Sequence, residues 1–167
     1  VNEGNQVLRA AVQCRTWDFV PAFFYGINLA FFQRDTVEAR RMLELGAQRS
    51  PENAASLRKL AIMLQADTFA DEQLALNYLT QQRDTASDPK LRGMLDKRVI
   101  RLQGLVALRD AQRRFEAKNA ALVRLEQLVE AGFMPALPED PLRLGYELRA
   151  GKIILKKMKI AGMEDQP

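Results

Sequence analysis

Several residue types that carry chemistry are nearly missing from this chain. Among its 167 residues there is no histidine, Cys14 is the one cysteine, and serine occurs three times. The lack of histidine excludes Ser-His-Asp and Cys-His catalysis, and a single thiol builds neither a thiolate zinc site nor an internal disulfide. The chain also lacks a Gly-rich phosphate loop and a dinucleotide fingerprint. We therefore predict that it is not an enzyme and that it binds no metal and no cofactor.

Long apolar runs are missing as well. Residues 19–32 come nearest to a membrane span, but Pro21, Gly26 and Asn28 interrupt them, and a span needs about 18 to 20 apolar residues. We predict a buried helix there. The chain begins at Val1 rather than at methionine, which indicates a fragment or a processed product. A segment outside this chain could then provide membrane association.

The composition is that of a folded protein, with 47% apolar and 28% charged residues. We expect one domain over residues 1–155 and a flexible tail over 156–167. Apolar residues spaced by three or four, with Asp, Asn or Thr at the starts, predict an all-α fold. The predicted helices span residues 5–14, 19–33, 36–49, 53–66, 71–83, 88–118 and 120–131.

The last part of the chain differs in kind. Residues 133–141 contain three prolines, which excludes a helix and favours an extended hook over residues 132–155. Tyr146 and Leu148 alternate with polar residues, and Ala150-Gly151 forms a turn before an apolar run. We therefore expect a small two-stranded ribbon within the hook.

Two helical hairpins repeat at a nearly constant period. Gly26 and Ala61 are 35 residues apart, and Ala39 and Ala75 are 36 apart. With Tyr25, Leu29, Leu43, Gly46 and Pro51 in the first unit, and Leu57, Leu60, Leu64, Leu79 and Pro89 in the second, the chain resembles the tetratricopeptide repeat family. The resemblance implies a superhelix of repeats over about 18–53 and 54–89, with the long helix 88–118 as its support. The apolar side of the helix over residues 5–14 indicates further repeats before Val1.

The C-terminal part carries a second resemblance. Residues 128–132 end a helix on glycine, and Leu137-Pro138-Glu139-Asp140-Pro141, Tyr146 and Gly151 follow. This order is similar to the ending of a bacterial group of uncharacterised repeat proteins, some of them associated with envelope, secretion or pilus-type systems. The chain departs from that group at Arg143 and Leu144, where a glycine pair is usual. The resemblance implies an assembly scaffold, with the bacterial envelope favoured over the cytoplasm.

Tetratricopeptide scaffolds bind partners through the face formed by the first helix of each pair. The resemblance therefore assigns a groove to this chain, with an apolar helix or strand of another protein as its ligand and Arg58 as the partner of a carboxylate. The alternative is that the long helix or the hook fills the groove. The groove residues are Phe23, Ile27, Asn28, Arg58, Ile62 and Gln65.

Basic residues concentrate in one segment. Residues 90–118 hold 9 Lys and Arg against 3 Asp and Glu, and Arg98, Arg101, Arg109 and Arg113 form the predicted basic face. Such a face would bind nucleic acid without sequence preference. Phe115 is the one aromatic residue in the segment, and single-strand readers stack bases on aromatic rings. Nucleic-acid binding is therefore the alternative to protein binding rather than the first choice.

A third hypothesis concerns the end of the chain. Lysines at positions 152, 156, 157 and 159 surround the apolar residues 153–155 and 158. This pattern suits an anionic membrane surface, although a ribbon strand packed on the core accounts for the same residues.

Overall fold

A computed structural model describes residues 2–156 of the chain. The predicted all-α class is confirmed, because helices dominate and the strands form one small ribbon. A π-helical turn, Leu29–Gln33, directly continues the second helix. The helices are α1 (Asn2–Cys14), α2 (Val20–Asn28), α3 (Thr36–Arg49), α4 (Ala54–Ala66), α5 (Glu72–Thr85), α6 (Pro89–Glu116) and α7 (Gln127–Glu130).

Side chains at the helix starts explain most of these boundaries. Asp35 accepts a hydrogen bond from the backbone N–H of Glu38 at the start of α3, and Asp71 does the same for α5. Asp88 accepts from the backbone N–H groups of Lys90 and Leu91 at the start of α6. Asn53 precedes α4 as predicted, but its amide donates to the Ser50 hydroxyl and does not cap the helix.

The predicted helix over residues 120–131 is wrong for most of its length, because α7 covers Gln127–Glu130 alone. The Gln127 side chain accepts hydrogen bonds from the N–H groups of Val123 and Arg124. The Glu116 carboxylate accepts one from the N–H of Leu122. Because side chains bind the N–H groups that an earlier helix start would use, residues 120–126 remain irregular.

The tertiary contacts divide the chain into two compact units, up to Asp96 and from Lys97 onward, where the sequence predicts one domain. In the first unit α2 packs against α1 and α3, and α3 packs against α4. Gly26 makes the approach of α2 to α3 close, because a Cβ there would lie 3.1 Å from the Ala39 carbonyl oxygen. The buried apolar core includes Ala22, Ala39, Met42, Leu43, Leu57 and Ala61.

The second unit contains the predicted hook and ribbon. Strands β1 (Tyr146–Arg149) and β2 (Lys152–Leu155) pair antiparallel, with Tyr146 opposite Leu155. Gly151 has a φ of 75°, which suits the turn between the strands. Ile153 is fully buried, so it does not contribute to the predicted membrane-facing patch. Residues 157 and 159 of that patch, and most of the predicted flexible tail, lie outside the described residues. Within residues 2–156 we find no helix with the length and apolar character of a membrane span.

Candidate functional site

An open cleft of about 790 Å³ lies among α3, α4, α5 and the first turn of α6. Its wall combines apolar and charged side chains, all of them in the first unit. The apolar lining includes Val37, Leu45, Ile62 and Tyr78, and the charged lining comprises Arg40, Arg41, Glu44, Arg58 and Asp88. A wall that mixes apolar and charged groups suits a peptide segment that carries both kinds of side chain.

The sequence predicts that Arg58 pairs with a carboxylate of a partner, but in the structure Arg58 pairs with Glu44. Its guanidinium grips the Glu44 carboxylate in a two-pronged ion pair, with nitrogen to oxygen distances of 3.0 to 3.2 Å. The hydrogen bond to Glu44 raises the pKa of Arg58. Arg58 is therefore already paired with a carboxylate of α3 within the chain.

Arg40, which also lines the cleft, pairs with a neutral side chain rather than with a carboxylate. Its guanidinium donates to the side-chain oxygen of Gln65, which is a neutral group. Burial raises the pKa of the nearby Tyr78, and the positive charge of Arg40 opposes that rise. Arg41, in contrast, is held by Glu38 at 2.7 Å. Arg40 therefore differs from Arg41 and Arg58, because its side-chain partner is a neutral group.

The structure separates the predicted groove residues into two groups. Arg58 and Ile62 line the cleft together, and Gln65 lies next to it through its contact with Arg40. Phe23 instead packs against a core cluster that includes Leu43 and Leu57. Asn28 donates to Asn5 at 2.9 Å and so fastens α2 to α1. The second helix of each pair, α3 and α5, supplies much of the cleft wall. Helical periodicity in the sequence does not predict this contribution.

The prediction of a buried helix at residues 19–32 holds for only one face of α2. Large apolar side chains on another face reach solvent: Trp17 is 74% exposed, Phe24 is 50% exposed and Phe31 is 48% exposed. Val20 belongs to the same face. The sequence misses this because residues 19–33 contain no charged side chain to mark the outside of the helix.

The predicted basic face on α6 is wrong for Arg101. Its side chain is 6% exposed and pairs with Asp140, whose side chain is 3% exposed, at 2.9 Å. The same guanidinium donates to the carbonyl oxygens of Gly145 and Lys156. Arg109 donates to the carbonyl of Ile153 at 2.8 Å. These two arginines fasten the hook and ribbon to α6 by donating to the backbone carbonyls of Gly145, Ile153 and Lys156.

Asp140 completes this buried cluster, which we call the hook latch (Arg101, Asp140 and Tyr146). Its carboxylate accepts hydrogen bonds from the N–H groups of Leu142 and Gly145. Burial on its own would raise the pKa of Asp140, but these bonds and the charge of Arg101 outweigh it and hold the pKa below its ordinary value. The Tyr146 hydroxyl donates to the carbonyl of Arg101 at 3.1 Å.

The two remaining residues of the predicted basic face differ from each other. Arg113 is exposed and pairs with Asp110 at 2.9 Å. Arg98 is half-buried and has an interaction of its own. The four arginines therefore do not form one solvated face.

Neither metal clusters nor known relatives point to a chemistry for this chain. Among residues 2–156 no three His, Cys, Asp or Glu side chains come together in a way that could hold a metal ion. Comparisons with protein-family models, with curated proteins and with solved structures found no match.

Proposed function

We propose that this chain is a non-catalytic protein-binding scaffold that holds a helical or extended segment of a partner in the cleft. The observation that carries the proposal is the pairing of an apolar wall with Arg40, an arginine whose in-chain partner is neutral. A partner segment with apolar side chains and one carboxylate matches both features. Ile62 would contact the apolar side chains, and Arg40 would bind the carboxylate.

The proposed architecture is a short superhelix of the tetratricopeptide kind. Its support is the order of the helical pairs α2/α3 and α4/α5 together with the close approach at Gly26. Ala61, at the equivalent place in the second pair, is buried. Stacked pairs of this kind leave an open surface along one side, which is where such scaffolds bind.

The proposed setting is an assembly complex of a bacterial envelope. The support for it is the sequence resemblance of the hook, so its test is separate from that of the cleft. Antibody detection of the full-length protein in separated membrane, periplasmic and cytoplasmic fractions tests it directly. Recovery in the cytoplasmic fraction alone would contradict the envelope setting and leave the cleft proposal in place.

Nucleic-acid binding by helix 90–118 has lost its strongest observation. Arg101 and Arg109 bind backbone carbonyls in the hook and ribbon, so they are committed within the fold. A filter-binding titration with single-stranded RNA at low salt tests the alternative. Binding that weakens steeply with salt would support it, and the absence of binding would leave the scaffold proposal.

The cleft is tested by photo-crosslinking in living cells from position 62, with position 123 as the control. Val123 is 77% exposed and lies in the second unit, so it reports contacts made by mere exposure. We expect a specific protein adduct from position 62 that position 123 does not give. Equal adducts from both positions, or none from position 62, would contradict the proposal.

The captured partner is then titrated against purified variants. Arg40→Glu should weaken its binding by about tenfold or more, because it reverses the charge that meets the carboxylate. Arg113→Glu makes the same change of net charge on an exposed residue outside the cleft and should leave the affinity unchanged. An equal loss in both variants would mean that net charge, and not the cleft, controls binding. Circular dichroism verifies that both variants remain folded.

A further inference from the structure

The exposed face of α2 is apolar over its whole length. It comprises the exposed Val20 and Phe24 and the half-buried Ile27, continues to Phe31 in the π-helical turn after α2, and has Trp17 just before the helix; we call it the α2 stripe. These side chains fall on one side because their spacings of four, three and four residues follow the helical repeat. An apolar surface of this kind on a folded protein marks a contact with another molecule.

The spacing of the stripe reads the same in both directions. A two-fold axis between positions 25 and 26 would place Val20 of one copy opposite Phe31 of a second copy. The same axis would place Phe24 opposite Ile27. This self-matching order allows each apolar side chain of one copy to meet an apolar side chain of the other in an antiparallel two-fold contact. An unrelated partner would not need this symmetry.

The ends of the stripe also match each other under that axis. Trp17 of one copy comes opposite Arg34 of the second copy, and both residues are exposed. An arginine guanidinium over an indole ring is a favourable cation–π contact. Between these ends, residues 19–33 carry no charge, so no like-charge repulsion opposes the contact of two copies.

The area of the stripe agrees with a weak dimer. Trp17 is 74% exposed, Phe24 50%, Phe31 48%, Val20 40%, and the neighbouring Phe32 46%. Since a large side chain carries about 150 to 250 Å², these fractions amount to roughly 540 Å² on each copy. With all of this area covered, Phe32 included, two copies would bury at most roughly 1,100 Å², which is close to the area of about 1,000 Å² at which specific interfaces begin.

We propose that two copies of this chain pair through the α2 stripe, with their α2 helices antiparallel about a two-fold axis. The interface is independent of the proposed function, because none of the stripe residues lines the cleft. At this area we expect an equilibrium between monomer and dimer in the micromolar range rather than a permanent dimer.

Sedimentation velocity between about 1 and 200 µM tests the pairing. The mass should rise from 18.9 kDa towards twice that value as the concentration increases. Phe24→Asp should raise the dimer dissociation constant by about a hundredfold, because it places a carboxylate in each half of an apolar contact. Leu74→Asp is the matched control, since Leu74 is exposed in the same unit but outside the stripe, and it should dimerise like the wild type.

Cysteine pairing tests the antiparallel order. On a Cys14→Ser background, a mixture of Val20→Cys and Phe31→Cys chains should form disulfides between positions 20 and 31 faster than either variant forms them with itself. Faster pairing of position 20 with itself would overturn the antiparallel order. A chain that stays monomeric at every concentration, or a dimer that Phe24→Asp leaves intact, would overturn the interface. Circular dichroism of each variant excludes unfolding as the cause.

Discussion

The two units of this protein are stabilised in different ways. In the first unit, each of the helices α1 to α4 packs against the next one through small and apolar residues such as Ala22, Ala39 and Leu43. The ion pairs of this unit, such as those of Arg41 and Arg58, lie at the surface. In the second unit, the hook depends on one buried ion pair, Arg101 with Asp140, that also binds backbone groups on both sides of the ribbon.

This difference predicts how well each unit tolerates an amino-acid substitution. Apolar packing spreads its free energy over many contacts, so a single truncation removes a share of it. A buried ion pair concentrates the free energy in two residues, because removing one charge leaves the other without compensation. The apolar packing of the first unit leaves two open surfaces, the cleft and the α2 stripe. The second unit, in contrast, needs both charges of the hook latch for its stability.

The largest effect is expected from breaking the latch. Asp140→Leu leaves the Arg101 guanidinium buried without its carboxylate, and should lower the free energy of unfolding of the second unit by about 3 to 5 kcal/mol. Trp17 is the one tryptophan and lies in the first unit. Hydrogen exchange at the ribbon amides is therefore the measurement, with tryptophan fluorescence reporting the first unit.

The double variant Arg101→Met/Asp140→Leu is the control for this prediction. It removes both charges together, so it should recover part of the loss, although the N–H groups of Leu142 and Gly145 stay without their acceptor. A double variant as unstable as the sum of the two single variants would show that the ion pair contributes nothing of its own.

A smaller effect is expected from the contact between Gly104 and Tyr146. A Cβ at position 104 would meet the Tyr146 ring, with its Cζ at 2.9 Å, and the Pro138 side chain at 3.2 Å. Gly104→Ala should therefore destabilise the second unit by about 1 to 3 kcal/mol in urea unfolding followed by circular dichroism, even though alanine favours a helix.

Gly93→Ala in the same helix α6 is the matched control, because a Cβ there meets nothing within 4 Å. It should stabilise the protein by about 0.5 to 1 kcal/mol through helix propensity alone. The cost of Gly104→Ala should be smaller on a Tyr146→Phe background than in the wild type, because that background lacks the atom nearest to the new Cβ. Equal effects of the two alanines would contradict the steric account.

Helix capping provides the next test, within the first unit. Asp71→Ala should cost about 1 kcal/mol, because the side chain accepts hydrogen bonds from Gln73 and Leu74 at the start of α5. Asn53→Ala should cost less, since Asn53 does not cap α4. Thermal unfolding of both variants against the wild type gives the comparison. A larger loss at Asn53 would mean that the position, and not the cap, determines stability.

The smallest effect is expected with pH, and it is confined to acid. The pKa of Asp140 is lowered in the folded state, so its contribution to stability is complete above the ordinary aspartate pKa of about 3.9 and is lost as the pH falls through the lower folded value. Urea unfolding between about pH 2 and pH 6 measures this contribution. Asp140→Asn should flatten the dependence of the second unit, and an unchanged slope would contradict the assignment.

Local chemistry made some of the structure predictable. Asp35, Asp71 and Asp88 cap helices where the sequence predicts helix starts, because a carboxylate binds the free N–H groups of the very next turn. The ribbon at Tyr146–Leu155 was predictable from alternation and a glycine turn. Arg58 and Ile62 line the cleft together because they lie on one face of one helix.

Other features have no local signal. Arg101 lies in a run of basic residues that predicts a solvated face, but Asp140, 39 residues away, pairs with it in the interior. Phe24 lies in a segment whose composition predicts burial, but it is half exposed. Arg58 pairs with the Glu44 carboxylate, whereas Arg40 donates to the neutral side chain of Gln65. The sequence around either arginine does not show this difference.

The helical class, the capped helix starts and the ribbon follow from the sequence, because each depends on residues within a turn or two of one another. Which charges are buried, which apolar face stays open and where the cleft forms depend on the folded arrangement of distant residues. The physical reason is that desolvation and pairing depend on the distance between side chains in space, and residues far apart in the chain set that distance.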